Sequence, residues 1–283
     1  MAAQVKRVTI NDIREMKQKG EKIAMLTAYD YSTAKIIDKC NIPIILVGDS
    51  LGMVVLGYEN TLPVTMDVMI HHSKAVVRGT EHAMIVGDMP FMTYHISVED
   101  ALKNAARFIQ EAGVQAVKLE GGINVVDKVQ RLVECGIPVM GHIGLTPQSI
   151  NQLGGHLVQG KKVEVAQRII DDAKSLEQAG AFSIVLESVP ARLAALITQN
   201  IGIPTIGCGG GPGCDGQVLV TNDILGLSDF IPKFAKQYTN LKEIMTQAVN
   251  AYQNEVTTSQ FPDKEHSFII DSDVLEQLKA KLP

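Results

Sequence analysis

Titratable side chains end five short apolar segments of this sequence. They are Asp49, Asp88, Glu120, His142 and Glu187. Short apolar runs bounded by polar residues or glycine predict buried strands. Because active sites of parallel α/β proteins form at the carboxyl ends of the strands, titratable residues at those ends indicate an enzyme.

Asp49 and Asp88 end the second and third predicted strands, which follow each other along the chain. If the two carboxylates converge at the carboxyl ends of the strands, they supply hard oxygen donors to an ion and leave coordination positions for water. Such a donor set suits Mg²⁺ better than Zn²⁺, which prefers His and Cys. Each acid could instead cap the helix that follows it, so the residues alone leave both interpretations open.

Lys118 and Glu120 lie two residues apart on one predicted strand, so their side chains point to the same side of the sheet. A buried ammonium group is costly without a nearby anion, so the two could form a structural ion pair. If that side faces a ligand, Lys118 could bind an anionic substrate and Glu120 could belong to the metal site.

Glu187 ends the sixth predicted strand, which lies across the mouth from strands two and three if the sheet is a closed barrel. A carboxylate there could act as a general base, or it could cap the helix after Pro190. His142 lies in the segment Gly-His-Ile-Gly, where it could orient a ligand or hydrogen-bond a loop. We predict that His142 supports the site from behind the residues that touch substrate.

The spacing of these segments indicates the elements that must position the side chains. Strands are predicted over residues 22–27, 42–47, 84–88, 114–120, 137–142, 181–187, 203–208 and 216–220. Helical patterns separate most of them, at intervals of about 20 to 40 residues, which is typical of a (β/α)₈ TIM barrel. A doubly wound open sheet is the main alternative. We predict one domain over residues 1–283, with an N-terminal helical extension at 1–20 and a C-terminal tail at 254–283.

Two long loops and one glycine-rich turn are further candidates for ligand contact. The loops cover residues 50–65 and 144–160, and loops of that length often bind ligands. The turn at 207–213 follows the seventh strand, where barrels often bind phosphate. It lacks the GxGxxG spacing of a βαβ nucleotide site, which argues against a dinucleotide-dependent enzyme.

Composition excludes several classes of protein. The 283 residues carry a net charge of −5, which provides no basic surface for nucleic acid. No apolar run approaches the roughly 18 residues that a membrane helix needs. The N-terminal segment alternates charged and apolar residues without a signal-peptide core, so we predict a cytosolic protein. Its four scattered cysteines contain no CxxC pair and are predicted to be reduced thiols.

Seven motifs in one register, between about Val8 and Lys264, resemble the ketopantoate hydroxymethyltransferase family. They are Leu26-Thr-Ala-Tyr-Asp-Tyr31, Val47-Gly-Asp-Ser-Leu-Gly52, Thr61-Leu-Pro-Val-Thr65, Asp88-Met-Pro-Phe91, Val117-Lys-Leu-Glu-Gly-Gly122, Gly141-His-Ile-Gly-Leu-Thr-Pro-Gln148 and Asp215-Gly-Gln-Val-Leu-Val220. One departure follows the seventh strand, where Gly207-Cys-Gly-Gly-Gly211 replaces the expected Gly-Ile-Gly-Ala-Gly.

The resemblance implies a Mg²⁺-dependent barrel of the phosphoenolpyruvate/pyruvate superfamily. Such an enzyme transfers a hydroxymethyl group from 5,10-methylenetetrahydrofolate to 3-methyl-2-oxobutanoate, through a Mg²⁺-stabilised enolate. The product is 2-dehydropantoate (ketopantoate), an intermediate of pantothenate biosynthesis. The resemblance also implies a cytosolic homo-oligomer, in many members of the family a decamer.

The same resemblance implies a role for each matching site residue. The oxoacid is contacted by Asp49, Ser50, Asp88 and Lys118. The metal is held by Asp49, Asp88 and Glu120. The proton acceptor is Glu187.

Other classes of protein predict different observations. A lyase or mutase on the same type of barrel would use Mg²⁺ and an enolate but no folate. A non-enzymatic metabolite-binding barrel predicts a missing catalytic carboxylate, yet every one is present in the sequence. Product formation that depends on folate therefore separates the transferase from the lyase.

Overall fold

Eight parallel strands close into a barrel in the computed structural model, which describes residues 6–155 and 157–282. The strands are β1 Ile23–Thr27, β2 Ile44–Val47, β3 Met84–Asp88, β4 Ala116–Glu120, β5 Val139–Gly144, β6 Ser183–Glu187, β7 Thr205–Cys208 and β8 Gly216–Leu219. They are ordered as in the sequence, and β8 pairs with β1. The predicted barrel is confirmed, and the open-sheet alternative is wrong because no open edge separates β8 from β1.

Helices precede, connect and follow the strands of the barrel. They are α1 Ile10–Lys19, α2 Tyr31–Lys39, α3 Leu51–Val54, α4 Met66–Arg78, α5 Val98–Arg107, α6 Val126–Glu134, α7 Ile150–Leu153, α8 Val163–Gln178, α9 Ala191–Asn200, α10 Thr221–Leu225, α11 Leu241–Thr257 and α12 Ser272–Lys279. Several begin at a side-chain cap, such as Ser97, whose hydroxyl accepts from the Asp100 amide at the start of α5. The short helices α3 and α7 lie inside the two long loops that the sequence predicted, and α10 was not predicted.

Most strands begin about two residues later than the apolar runs that predicted them. Proline lies near the start of three runs, at Pro43, Pro138 and Pro204, and cannot donate to a strand ladder. The carbonyl oxygens of these prolines still accept bonds from Met84, Val117 and Ile184 on the neighbouring strand. The runs therefore enter the barrel at the proline and pair fully only after it.

The apolar core has two parts, one between the barrel and its helices and one inside the barrel. Helix α1 contributes to the inner part through Ile13, which is fully buried at the amino-terminal end of the barrel. The Lys17 ammonium of α1 lies 2.9 Å from the Asp215 carboxylate and donates to the Ile203 carbonyl at 2.9 Å. Because α1 covers this end, the site described below forms at the opposite, carboxyl end.

The C-terminal segment lies apart from both cores. Helices α11 and α12 have no buried residue, although both carry large apolar side chains. The predicted tail begins at Asn254, whereas α11 continues to Thr257. A polar stretch such as Gln253 to Glu255 can belong to an exposed helix. The sequence prediction therefore ended this helix too early.

Two smaller predictions concern membranes and thiols. Among the described residues, no helix combines the length and the apolar character needed to cross a bilayer. The four cysteines, Cys40, Cys135, Cys208 and Cys214, are free. Residues 1–5 of the predicted N-terminal extension, as well as residues 156 and 283, lie outside the described part of the chain.

Candidate active site

The strand register brings the predicted acids and bases together at the carboxyl end of the barrel. Asp88 on β3 pairs with Lys118 on β4, and Glu120 on β4 pairs with His142 on β5. Glu187 at the end of β6 is paired with Gly144, two residues beyond His142. Neighbouring positions on parallel strands hold their side chains about 5 Å apart, so the register alone builds one cluster.

Glycine precedes both aspartates, at positions where a Cβ would come too close to another side chain. A Cβ at Gly87 would lie 2.5 Å from the ring of Phe108, which belongs to a π-helical turn over residues 108–112. A Cβ at Gly48 would lie 2.8 Å from the Ser50 hydroxyl oxygen. Gly87 thus lets the π-helical turn pack against the end of β3 without displacing Asp88.

Lys118 is the cation at the centre of the acidic cluster. Its Nζ lies 2.6 Å from Asp88 Oδ1 and 3.9 Å from Glu120 Oε1, and the three side chains are at most 4% exposed. Asp88 also accepts a bond from the backbone amide of Asp49 at 3.2 Å. The predicted ion pair of Lys118 therefore exists, but its closer partner is Asp88 on β3 rather than Glu120 on its own strand.

Burial and mutual repulsion perturb the pKa values of the two aspartates. Burial raises the pKa of Asp49 well above its usual range, and the negative charges of Asp88 and Glu120 raise it further. Burial also raises the pKa of Asp88, although Lys118 acts in the opposite direction. For Lys118, the three acids outweigh the effect of burial and raise the pKa of the ammonium group. The carboxylates therefore repel one another even with the Lys118 ammonium group among them.

His142 lies between two carboxylates. Its Nδ1 is 3.3 Å from Glu120 Oε1 and its Nε2 is 3.2 Å from Glu187 Oε2. Neither contact has hydrogen-bond geometry, so we describe both as ion pairs. Burial and Lys118 tend to lower the pKa of His142, but the two carboxylates outweigh them and raise it to about 9. Burial favours the neutral acid at Glu120, yet His142 and Lys118 hold the pKa of Glu120 below its usual value.

Ser50 and Glu187 border this cluster. The Ser50 side chain shares a hydrogen bond of 2.9 Å with the buried hydroxyl of Tyr29. Glu187 is 16% exposed at its side chain, more than Asp88, Lys118 or Glu120. Cys208 pairs with Glu187 across β6 and β7, and burial together with the Glu187 charge raises the pKa of its thiol well above normal.

Sequence reasoning missed two residues of the site, Gln148 and Tyr94. Gln148 donates from its side-chain nitrogen to Asp49 Oδ2 at 2.9 Å and from its backbone amide to Glu120 Oε2 at 3.0 Å. Tyr94 donates to Gln148 Oε1 at 2.7 Å. Gln148 ends the Gly-His-Ile-Gly-Leu-Thr-Pro-Gln motif, which was the available signal.

The donor set is compatible with a magnesium ion. Asp49, Asp88 and Glu120 offer buried carboxylate oxygens, and Glu120 Oε1 has no hydrogen-bond partner among the described residues. In the described ranges, no three His, Cys, Asp or Glu side chains are already gathered as metal ligands. Mg²⁺ does not need such a cage, because it usually keeps several waters and binds through one or two carboxylates. The residues present therefore fit Mg²⁺ and not a structural zinc site.

Comparison with solved structures identifies the fold that this chain shares with other proteins. Phosphonopyruvate hydrolase superposes with a TM-score of 0.60 at 10% identity, over 97% of this chain and 96% of that one. The 2,3-dimethylmalate lyase, a PEP mutase/isocitrate lyase superfamily member, superposes with a TM-score of 0.58 at 13% identity, over 97% and 95%. At such low identity the likeness shows the fold alone, a (β/α)₈ barrel.

Comparison of sequences defines the family. Residues 7–264 match the model of the ketopantoate hydroxymethyltransferase family, and the chain belongs to that family. A 3-methyl-2-oxobutanoate hydroxymethyltransferase from Dehalococcoides mccartyi is 64% identical over 274 residues, covering 96% of this chain and 98% of that protein. One from Clostridium botulinum is 59% identical over 273 residues, covering 96% and 99%.

Proposed function

We propose that this protein transfers a hydroxymethyl group from 5,10-methylenetetrahydrofolate to 3-methyl-2-oxobutanoate in pantothenate biosynthesis. One water is consumed, and ketopantoate and tetrahydrofolate are released. Membership of the family and the near full-length likeness to relatives with this name support the assignment. The observation that carries it is the buried cluster of Asp49, Asp88, Lys118 and Glu120, with the partly exposed Glu187 beside it.

The proposed metal is Mg²⁺, with Asp49, Asp88 and Glu120 as its protein contacts. Buried carboxylates that repel one another support this proposal, since a divalent cation would relieve the repulsion. When bound, Mg²⁺ would polarise the keto oxygen of the substrate and stabilise the negative charge that develops there.

The remaining groups are assigned from their chemistry. Asp49, Ser50 and Asp88 orient the oxoacid, and the Lys118 ammonium neutralises its carboxylate. Glu187 takes the proton from C3 of the substrate, which leaves an enolate that forms the new bond to the one-carbon unit of the folate. Water then replaces the folate nitrogen on that carbon, which gives the hydroxymethyl group of the product and releases tetrahydrofolate. His142 Nε2 lies 3.2 Å from Glu187 Oε2. This contact supports the proposal that His142 orients Glu187 from the side away from the substrate.

The activity test follows ketopantoate formation from 3-methyl-2-oxobutanoate and 5,10-methylenetetrahydrofolate. We expect product to form with Mg²⁺, to stop after chelation by EDTA and to return when Mg²⁺ is added back. Omission of the folate is the control, because a lyase or mutase would still consume an oxoacid without it. A folded, Mg²⁺-supplied sample that makes no ketopantoate would contradict the proposal.

We also propose that the protein is a cytosolic homo-oligomer, a decamer as in many members of the family. Helix α11 supports self-association, because its apolar side chains form a stripe at helical spacing. The stripe comprises Met245, Val249, Tyr252 and Val256, which are between 43% and 63% exposed. A contiguous exposed apolar stripe along a helix is typical of an interface. The size of the oligomer rests on the resemblance alone.

Substitution of the stripe tests the oligomer. We expect Val249→Glu to lower the mass measured by light scattering after size exclusion, because a charge in an apolar contact is costly to bury. The matched control is Gln247→Glu, which adds the same charge on the opposite side of α11 and should leave the mass unchanged. Equal masses for the wild type and both variants would remove α11 from the interface.

A further inference from the structure

Gln148 makes four hydrogen bonds with groups from three separate segments of the site. It lies in a 3₁₀ turn over Pro147–Ser149, in the connection after β5. Its side-chain nitrogen donates to Asp49 Oδ2 at 2.9 Å and to the Met89 carbonyl at 3.0 Å. Its side-chain oxygen accepts from the Tyr94 hydroxyl at 2.7 Å, and its backbone amide donates to Glu120 Oε2 at 3.0 Å. It thus connects the ends of β2, β3 and β4.

The bonds determine how the Gln148 amide is turned. The Tyr94 oxygen accepts from the Glu120 backbone amide at 3.1 Å, which leaves the Tyr94 proton free to donate to Gln148 Oε1. The opposite orientation would place Oε1 against a carboxylate and a carbonyl oxygen, which repel it. Both Gln148 and Tyr94 are at most 3% exposed, so water offers no substitute for these partners.

Gln148 uses one oxygen of Glu120 and leaves the other facing Lys118 and His142. Gln148 takes Glu120 Oε2, whereas Glu120 Oε1 is buried without a hydrogen-bond partner among the described residues. At Asp49, the same residue binds Oδ2. A residue that fixes one oxygen of each acid also sets the direction and the spacing of the second oxygens. Groups behind metal ligands commonly act in this way.

We propose that Gln148 is a positioning residue that holds Asp49 and Glu120 in register for a divalent cation, and that Tyr94 acts through it. The inference rests on the proposed function for the identity of the cation. If Gln148 only filled space in the site, its amide would have no effect on metal affinity; as a positioning residue, it does.

The test is direct binding of Mn²⁺, a spectroscopically visible substitute for Mg²⁺, measured by the electron paramagnetic resonance signal of the free ion. Gln148→Met keeps the length of the side chain but removes the amide. We expect it to raise the Kd for Mn²⁺ about 10- to 100-fold, the usual effect of losing a partner behind a metal ligand. The control is Gln130→Met on the exposed face of α6, which should leave the Kd unchanged.

Tyr94→Phe provides a second variant in case Gln148→Met does not fold. It removes the hydroxyl that orients the amide, so we expect a smaller rise in the Kd. In the double variant the two effects should not add, because Tyr94 acts through Gln148. The thermal unfolding midpoint is recorded in EDTA for every variant to separate metal affinity from stability.

The outcomes are distinguishable. A lower unfolding midpoint with an unchanged Kd in both single variants would make Gln148 and Tyr94 merely structural and overturn the inference. A wild-type protein that binds no Mn²⁺ would overturn the inference together with the metal assignment of the proposed function. Wild-type binding with an unchanged Kd in the variants would overturn the inference and leave the proposed function intact.

Discussion

Glu187→Gln should lower turnover of 3-methyl-2-oxobutanoate by about 10²- to 10⁴-fold, the usual contribution of a positioned general base. The amide retains the shape of the carboxylate but cannot accept the C3 proton. Glu187 is assigned no role as a metal ligand, so the Kd for Mn²⁺ should stay close to that of the wild type. The measurement combines steady-state rates at saturating substrate with Mn²⁺ titration.

The matched control for this substitution is Glu164→Gln, at an exposed position in the first turn of α8. We expect wild-type rates from it. A Glu187→Gln enzyme with full activity would remove Glu187 from the chemistry and turn attention to another base. Exchange of the C3 proton with deuterated water in the absence of folate offers a second measurement, and the variant should lose this exchange as well.

Lys118→Met should destabilise the metal-free protein and abolish most activity. The ammonium group is the cation within a cluster of buried acids, 2.6 Å from Asp88. Removing one partner from a buried ion pair typically costs about 3 to 5 kcal/mol of unfolding free energy, because the remaining charge is left unpaired. We expect that loss in urea unfolding at pH 7 with EDTA present.

Lys118→Met should lower stability and activity but should not weaken metal binding. In the metal-free protein the ammonium competes with a divalent cation for the Asp88 carboxylate, so its removal should leave the Mn²⁺ affinity equal or higher. The value of kcat/KM should nevertheless fall by at least about 10²-fold, as is typical when one charge-stabilising donor is lost.

Lys103→Met on the exposed face of α5 is the control for Lys118→Met. It should change the unfolding free energy by no more than about 0.5 kcal/mol, as is usual for a surface substitution. An unfolding free energy left unchanged by Lys118→Met would mean that protonation of the neighbouring buried acids compensates fully for the lost ammonium group. Loss of Mn²⁺ binding in this variant would contradict competition at Asp88.

The sequence by itself determined the barrel and the positions of its acids. Apolar runs ending in Asp88, Glu120 and Glu187 predicted strands whose last residues agree with the structure. This worked because a strand buried on both faces is largely apolar up to its carboxyl end, where a charged residue can meet solvent or ligand. The family resemblance then added roles that the residue types alone left open.

The tertiary structure decided which of these groups touch one another. Sequence reasoning placed Lys118 next to Glu120 on the same strand, but the closer partner is Asp88. Residues two apart on a strand are separated by two rises of about 3.3 Å, whereas strands in register lie only about 4.8 Å apart. The pairing of β3 with β4, which no local pattern reveals, therefore selects the partner.

The contact between Gln148 and Asp49 is even harder to predict from local sequence patterns. The two residues are 99 positions apart, and Gln148 lies in a loop with no periodic signal. Only closure of the barrel brings the connection after β5 over the end of β2. A polar loop residue looks solvent-exposed in a sequence, and its burial beneath two acids follows from the packing of elements that are distant in the chain.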